Sequence, residues 1–439
     1  MKIIFVSLGC DKNLVDSEMM MGLLRERGYE FTDDEKDADI AVINTCGFIT
    51  SAKEESIQTI LEMAENKKGK LKVLIAAGCL AQRYKDEILK ELPEIDAVVG
   101  TTAFDKICEV VDDVLAKRGH NEFEDINSMC RPDTDRMITT GGYYSYLKIA
   151  EGCDKRCTYC SIPIFKGAYR SVPMDKLIDE AEYLARNGVR ELILVAQETT
   201  VYGKDLYGEK VLPKLLRKLC GIDGIRWVRI LYCYPEEITD ELIEVIKSEP
   251  KICRYLDIPI QHASDPVLRR MGRRTTNKDL RDIIGKLRRE IPDIALRTTL
   301  ITGFPGESEA DHEILMDFVD ETEFDRLGVF TYSPEEDTPA ASMEGQIDEE
   351  TKLSRRDELM ELQQEISYEK SQRLVGRRLE VMIEGKAADE DVYVGRTYMD
   401  APGVDGYIFI NSGEELMSGD FAYVKVTKAL EYDLIGELD

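Results

Sequence analysis

The chain opens with three short apolar, β-branched runs, KIIFVSLGC, ADIAVINTC and KLKVLIAAGC. Each is followed by a segment with helical spacing of its apolar residues: SEMMMGLLRERG, SAKEESIQTILEMAENKKG and RYKDEILKELP. Short runs rich in Val and Ile suit buried strands, and their alternation with helices predicts a parallel sheet with helices on its faces. Every one of these runs ends in a cysteine, Cys10, Cys46 and Cys79. Parallel strands point the same way, so the three thiols are expected along the carboxyl edge of one sheet, where open α/β sheets bind ligands.

The block from about 103 to 140 starts as a helix and turns polar and irregular, which places a first boundary near 140. Alternation then resumes with YSYLKIAE, ELILVAQE, WVRILYCY, YLDIPIQHA, ALRTTLITG and RLGVFTYS as strands, separated by amphipathic segments such as MDKLIDEAEYLARNG and TNKDLRDIIGKLRRE. Six βα units suggest a barrel two units short of closure. From 348 a long helical pattern follows, and then short alternating runs, RLEVMIEG, VYVGRTY, GYIFINS and DFAYVKVTKALEYDLIGEL, that read as a small antiparallel β-barrel. The expected architecture is therefore α/β: an open parallel sheet domain over 1–140, a partial (β/α)6 barrel over 141–345, a helical linker over 346–370 and a β-barrel over 371–439.

Composition narrows the class. With 439 residues, 43% hydrophobic and 33% charged, the chain is expected to be soluble and globular, with two or three domains. The amino terminus has a short apolar run without a small-residue cleavage site, and no uncharged stretch approaches the roughly 18 to 20 residues of a membrane span. A cytoplasmic location and mostly reduced thiols are the expectation. The 11 cysteines, an odd number, argue against a complete disulfide framework. A net charge of −28, from 58 basic and 86 acidic residues, repels phosphate backbones and attracts basic partners.

The sharpest local motif is EGCDKRCTYCSIP, residues 151–163, with Cys153, Cys157 and Cys160 spaced C-x3-C-x2-C. Thiolates so close together need a soft cation, which leaves zinc or an iron–sulfur cluster. Structural zinc sites are usually closed by four ligands in pairs, and no partner pair follows here. Three thiolates suit three irons of a four-iron cluster and leave the fourth iron open to a substrate or cofactor. Plain packing of small apolar side chains and a zinc site are the competing readings.

GCDKRCTYCSIP, the partial-barrel pattern and RTTLITGFPGES (297–308) together resemble the radical S-adenosylmethionine (SAM) superfamily. The three strand-end cysteines ahead of the barrel and the β module behind it, similar to a TRAM domain, resemble the methylthiotransferases within it. The resemblance implies two [4Fe-4S] clusters and SAM. Cys153, Cys157 and Cys160 would hold the cluster whose open iron chelates SAM and whose electron releases a 5′-deoxyadenosyl radical. Cys10, Cys46 and Cys79 would hold a second cluster that supplies sulfur. Glu198 would hold the cofactor's ammonium, Gln261 and Arg297 its ribose or carboxylate, and Tyr159 would pack on the adenine; Gly303 and Gly306 would allow close backbone approach. An electron donor such as flavodoxin or ferredoxin would serve the clusters. Cys108, Cys130, Cys220, Cys233 and Cys253 are assigned to packing, and His120, His262 and His312 to structural or solvated roles.

Methylthiotransferases modify either an adenosine of transfer RNA or an aspartate of a small-subunit ribosomal protein. The segment LGCDKNLVDSE (8–18) resembles the ribosomal-protein type. Independently, residues 371–439 carry 7 Lys and Arg against 14 Asp and Glu, a net charge of −7. A module gripping RNA by its phosphates would be basic. The charge points to a basic partner without direct nucleic-acid binding, and the resemblance implies the ribosomal protein numbered twelve, modified at an aspartate β-carbon. A transfer-RNA enzyme, a cluster protein that only relays electrons and a zinc-stabilised binding protein stand as alternatives.

Overall fold

In the computed structural model, residues 1–387 and 392–439 are described. The first domain runs β1 (Lys2–Ser7), α1 (Asp11–Glu26), β2 (Glu30–Phe31), β3 (Ile40–Thr45), α2 (Thr50–Ala64), β4 (Val73–Gly78), α3 (Cys79–Tyr84), α4 (Asp86–Glu91), β5 (Ala97–Val99) and α5 (Ile107–Leu115). All its strands are parallel, in the order β2-β1-β3-β4-β5. The central β3 and β4 are buried along their whole length, which explains their unbroken apolar runs. The edge strands β2 and β5 are too short to leave a periodic signature. The third helical run is broken at Lys85, whose φ is +45°, and α3 begins at Cys79 itself.

The irregular chain after α5 is packed down rather than loose. Arg136, 2% exposed, reaches Glu18 Oε2 (2.9 Å) on α1 and Ser145 Oγ (2.9 Å) at the entrance to the barrel. The same Glu18 accepts from the Thr139 amide at 2.7 Å, so the connection near 140 is stitched to the first domain.

The barrel follows as β6 (Tyr144–Lys148), a two-residue ribbon of β7 (Ala150–Glu151) with β8 (Arg170–Ser171) around α6 (Ile162–Lys166), and then α7 (Met174–Arg186), β9 (Glu191–Val195), α8 (Lys204–Tyr207), α9 (Leu212–Cys220) and β10 (Trp227–Ile230). It continues as α10 (Asp240–Ser248), β11 (Ile252–Asp257), α11 (Asp265–Arg270), α12 (Asn277–Glu290), β12 (Ala295–Thr302), α13 (Glu309–Thr322) and β13 (Arg326–Thr331). Six parallel strands stand in the order β13-β12-β11-β10-β9-β6, with no pairing that closes them. Capping boxes start α12 (Thr276 with Asp279) and α13 (Ser308 with Asp311). The outer face of the strands packs on helices through Leu192, Leu194, Val228, Ile230, Leu256 and Leu296.

The predicted linker helix, α14 (Glu349–Gln372), lies against β13 and α13 and buries Leu359, Gln363 and Ile366, so it forms part of the barrel's shell. Beyond it β14 (Arg378–Lys386), β15 (Val392–Thr397), β16 (Ile408–Asn411), β17 (Phe421–Ala429) and β18 (Leu434–Leu438) close into a five-stranded barrel. Its pairings are antiparallel except that of β16 with β18, which is parallel. Asp389, Glu390 and Asp391 of this module lie outside the described residues.

This small barrel plugs the concave face of the large one. Met382, Met399 and Ala401 share an apolar cluster with Ile193, Trp227, Tyr255 and Ala295. Glu191, fully buried at the start of β9, is gripped by Arg229 (2.7 Å) and by Arg396 of the module (2.7 Å). Arg326 bonds to Asp400 (3.0 Å), and Asp405 takes Arg297 (3.3 Å) and the Tyr255 hydroxyl (2.8 Å). Part of the module's acidity therefore neutralises barrel arginines. Among the described residues, no helix is long and apolar enough to cross a membrane.

Breaking a fully buried ion pair costs about 3 to 5 kcal/mol because the surviving charge has no water. Arg396→Met should therefore move unfolding of the C-terminal module to clearly lower denaturant, measured by intrinsic fluorescence of Trp227 in the interface. Arg226→Ala should leave it nearly unchanged, because the Arg226–Glu380 pair is largely exposed.

Candidate active site

In a sheet of order 2-1-3-4-5, connections leave β1 and β3 in opposite directions, which opens a crevice between their carboxyl ends. Cys10 lies just past β1, as the cap of α1, and Cys46 just past β3; Cys79 opens α3 on the next strand. Asn13 ties the three loops together. Its Nδ2 donates to Leu8 O (3.2 Å) and Thr45 O (3.1 Å), while Cys79 Sγ lies 3.5 Å from its Oδ1. Gly9, at φ +87°, permits the approach: a Cβ there would stand 2.9 Å from Cys46 Cβ and 3.1 Å from its sulfur. Burial pushes the Cys79 thiol up to about 12, opposed by the charge of Lys166. Burial also raises Cys46, whose sulfur faces the backbone N–H groups of Phe48 and Gly47.

The second trio occupies the loop between β7 and α6. Gly152, at φ +77°, starts it where any Cβ would lie 2.1 Å from Ala168 O. The loop is pinned by Cys153 N to Gly167 O (3.1 Å), Thr158 N to Met271 O (3.0 Å) and Cys160 N to Cys157 O (3.1 Å). The Tyr234 hydroxyl lies 3.3 Å from Cys157 Sγ. Burial pushes Cys153 up to about 12 and raises Cys160, while the N–H groups of Lys155 and Ile162 favour the thiolates.

This donor set fits iron–sulfur clusters. All 11 cysteines are free, and among the described residues no three of His, Cys, Asp and Glu, those of either trio included, are gathered closely enough to hold a metal ion. A soft cation must displace the protons that burial keeps on these thiols, and the backbone N–H groups that favour the thiolates offset part of that cost. Cys220, Cys233 and Cys253 are buried in apolar clusters, and Cys108 and Cys130 pack at the edge of another.

The loops that carry the two sets of cysteines are tied together by polar groups that sequence reading did not identify. Ser161 Oγ, next to Cys160, donates to Phe48 O, two residues past Cys46 (3.2 Å), and α3 packs on α6. Asp16 of α1 meets Lys148 and Lys166 of the barrel (the latter 3.4 Å), and Glu151 takes the same two lysines at 2.8 and 3.3 Å. Burial alone would raise the Glu151 carboxyl, but Lys148 and Lys166 hold it well below the usual range. Gln197 Nε2 completes the knot at 2.7 Å from Glu151 Oε1. On the opposite side Glu335, past β13, accepts from Thr50 N (2.7 Å) and pairs with Lys53 (2.9 Å), clasping α2.

The barrel residues predicted to touch the cofactor sort differently. Tyr159 stands edge-on to Phe304 (6.5 Å) beside Cys160. Glu198 is buried, bonded to Thr200 Oγ1 (2.6 Å) and Lys155 (3.3 Å); burial pushes its carboxyl up to about 7 against the pull of Lys155. Gln261 has φ +71°, unusual for a side-chain-bearing residue, and its amide and carbonyl bond to Thr299 and Ile301 of β12. Arg297 is held between Asp257 (2.9 Å) and Asp405, and the missing side chain of Gly303 makes room for Lys352, whose Cγ would lie 2.1 Å from a Cβ there. His262 is a core residue: burial lowers it to about 3, and its Nδ1 accepts from Ser264 N (2.9 Å). His120 lies between Asp113 and Glu122 (2.7 Å each), and His312 meets Glu358 (3.0 Å).

Arg273 escaped sequence reading because nothing in MGRRTT separates it from Arg274. It is 7% exposed, its guanidinium stacks 4.2 Å over the Tyr234 ring, and Nη2 donates to Pro259 O (2.9 Å). Its Nε and Nη1 find no acceptor among the described residues. A buried guanidinium with two idle donors beside Cys157 is a place for an anion.

Comparison with known proteins agrees with this layout. The Uncharacterized protein family UPF0004 matches residues 2–100, the Radical SAM superfamily 147–319 and the TRAM domain 375–438. A protein of Lachnoclostridium phytofermentans named "Ribosomal protein uS12 methylthiotransferase RimO" is 65% identical over 99% of both chains. One of the same name from Clostridioides difficile (strain 630) is 50% identical over 100% of this chain and 99% of its own. Among solved structures the radical SAM methyltransferase TsrM from Kitasatospora setae shares the fold at TM-score 0.55 and 14% identity, over 88% of this chain and 79% of its own. With identity of this order sustained from end to end, the chain belongs to the RimO family of ribosomal protein uS12 methylthiotransferases, within the radical SAM superfamily.

Proposed function

We infer that this enzyme replaces a C–H on the β-carbon of an aspartate of ribosomal protein uS12 by C–SCH3. One observation carries the reading: the domains that bear the two sets of free cysteines are clamped together beside those cysteines by the Asp16–Lys148–Glu151–Lys166 knot. When bound, two [4Fe-4S] clusters and SAM supply the electron, the radical chemistry for an unactivated C–H bond and the sulfur, which no side-chain acid or base provides. The chain's own residues bind and orient. Cys153, Cys157 and Cys160 would hold one cluster and Cys10, Cys46 and Cys79 the other. Arg273 offers a planar fork to the cofactor's carboxylate and Glu198 a carboxylate to its ammonium, with Lys155 passing to Glu236 and Glu237 at 3.2 and 2.6 Å. Tyr159, backed by Phe304, offers an aromatic surface to the adenine, and Gln261 an amide to the ribose.

The division of labour follows the chain: 1–140 for sulfur, 141–345 for the radical, 346–370 as an outer strut and 371–439 for docking. Several module carboxylates turn inward to barrel arginines, yet Glu414, Glu415, Asp420 and Glu431 remain exposed. Exposed Arg377, Arg378, Lys425 and Lys428 balance them, so the choice of a protein over RNA rests on the named relatives, and a ribosomal substrate favours a cytoplasmic setting. An external one-electron donor such as flavodoxin or ferredoxin completes the set.

Incubating the reconstituted enzyme, dithionite and SAM with uS12 should add one methylthio group to an aspartate by mass spectrometry; modification of transfer RNA alone would overturn the substrate. Anaerobic protein should hold about eight irons, and Cys46→Ala and Cys157→Ala about four each. Cys46→Ala should still form 5′-deoxyadenosine, whereas Cys157→Ala should not; loss of all iron in either variant would contradict two independent sites. Arg273→Met should weaken SAM binding about tenfold or more without lowering iron content, measured by equilibrium dialysis.

A further inference from the structure

Beside Cys10, a lysine and an aspartate face the barrel mouth. Lys12 is 5% exposed; its ammonium lies 3.4 Å above the ring of Tyr232 and 2.8 Å from Asp11 Oδ1. That Asp11 oxygen also accepts from the Lys12 backbone N–H (2.9 Å) and from the Tyr232 hydroxyl (3.3 Å). Three donors therefore share one carboxylate oxygen, and the ammonium has donors left over. Tyr232 stands just past the carboxyl end of β10, a central strand, and holds a left-handed backbone (φ +58°) with its amide on Asp257 Oδ2 (3.1 Å). A tyrosine is kept in that conformation only where its surroundings enforce it, and here the result is a ring turned under Lys12.

The other buried cations of the mouth are paired with carboxylates, apart from Arg273, whose idle donors the reading above gives to SAM. Lys148 and Lys166 divide Asp16 and Glu151 between them. Lys155 meets Glu198, Glu236 and Glu237, Arg297 meets Asp257 and Asp405, and Arg273 lies by the other trio. A carboxylate entering a space bordered by so many acidic groups and by anionic sulfur is repelled unless a cation receives it. A nucleobase, being uncharged, needs none.

We propose that Lys12 receives the carboxylate of the target aspartate and so selects an acidic side chain as the substrate, an inference that rests on the uS12 reading above. The ammonium fixes the carboxylate beside the trio of Cys10, Cys46 and Cys79, which leaves the adjoining β-carbon near the sulfur-supplying side of the mouth. Asp11 and Tyr232 act as positioning residues that hold the ammonium in place.

The test compares binding of full-length holoenzyme to uS12 and to uS12 with the modified aspartate replaced by asparagine, which is isosteric but uncharged. Wild type should prefer the aspartate form by about tenfold or more. Lys12→Met should reduce that preference to about one while leaving affinity for the asparagine form unchanged, and Lys12→Arg should restore it in part. Iron content and SAM cleavage without substrate, measured on each variant, verify that the mouth is intact. A Lys12→Met enzyme that keeps the preference, or that loses affinity for both forms equally because Lys12 only clasps the domains, overturns the inference alone. A wild type that neither prefers nor modifies the aspartate form removes the functional reading and the inference together.

Discussion

Asp16 of the first domain and Lys148, Glu151 and Lys166 of the second form a closed group of two cations and two anions, all nearly without solvent. Each charge is affordable only while the others remain, so the two domains are held at one separation and orientation. Cys10 lies six residues before Asp16, Cys153 two after Glu151 and Cys160 six before Lys166. Fixing the charges therefore fixes the thiols. Ser161 with Phe48, and Glu335 with α2, add ties on either side of the same seam.

The far end of the barrel is governed by the same physics. An incomplete barrel exposes an apolar concave wall, and Trp227, Tyr255 and Ala295 are covered there by Met382, Met399 and Ala401. The buried carboxylate of Glu191 between Arg229 and Arg396 makes that cover specific in orientation. The large barrel is thus closed from below by the small one and faced from above by the flavodoxin-like sheet.

Much of this was legible in the sequence because the informative spacings are local or follow from topology. EGCDKRCTYC needs nothing beyond its own loop, and Cys10, Cys46 and Cys79 stand at strand ends that share one edge of a parallel sheet. The rest depends on contacts far apart in the chain. LGCDKNLVDSE reads as a family signature, and the structure gives it physical content: Lys12, Asn13, Asp16, Ser17 and Glu18 are all buried at the domain seam. Asn13 and Ser17 knit the first domain itself, while the partners of Lys12, Asp16 and Glu18, which are Tyr232, Lys148 and Arg136, lie more than a hundred residues away. Arg297 reads as a ligand-facing residue, and its contact with Asp405, in another module, could not be read from the sequence. The idle guanidinium of Arg273 is invisible until Tyr234 and Pro259 surround it. The strands β2 and β5 were too brief for any periodicity to register.

The central claim is that two inorganic centres confront each other across one mouth at a distance set by buried ion pairs. Electron paramagnetic resonance of the fully reduced, anaerobically reconstituted protein tests it directly, because paramagnetic clusters in neighbouring domains broaden and split each other's signals. The account predicts a spectrum with mutual dipolar coupling that is not the sum of those from Cys46→Ala and Cys157→Ala. A spectrum equal to that sum, with neither signal perturbed by the other, would contradict it.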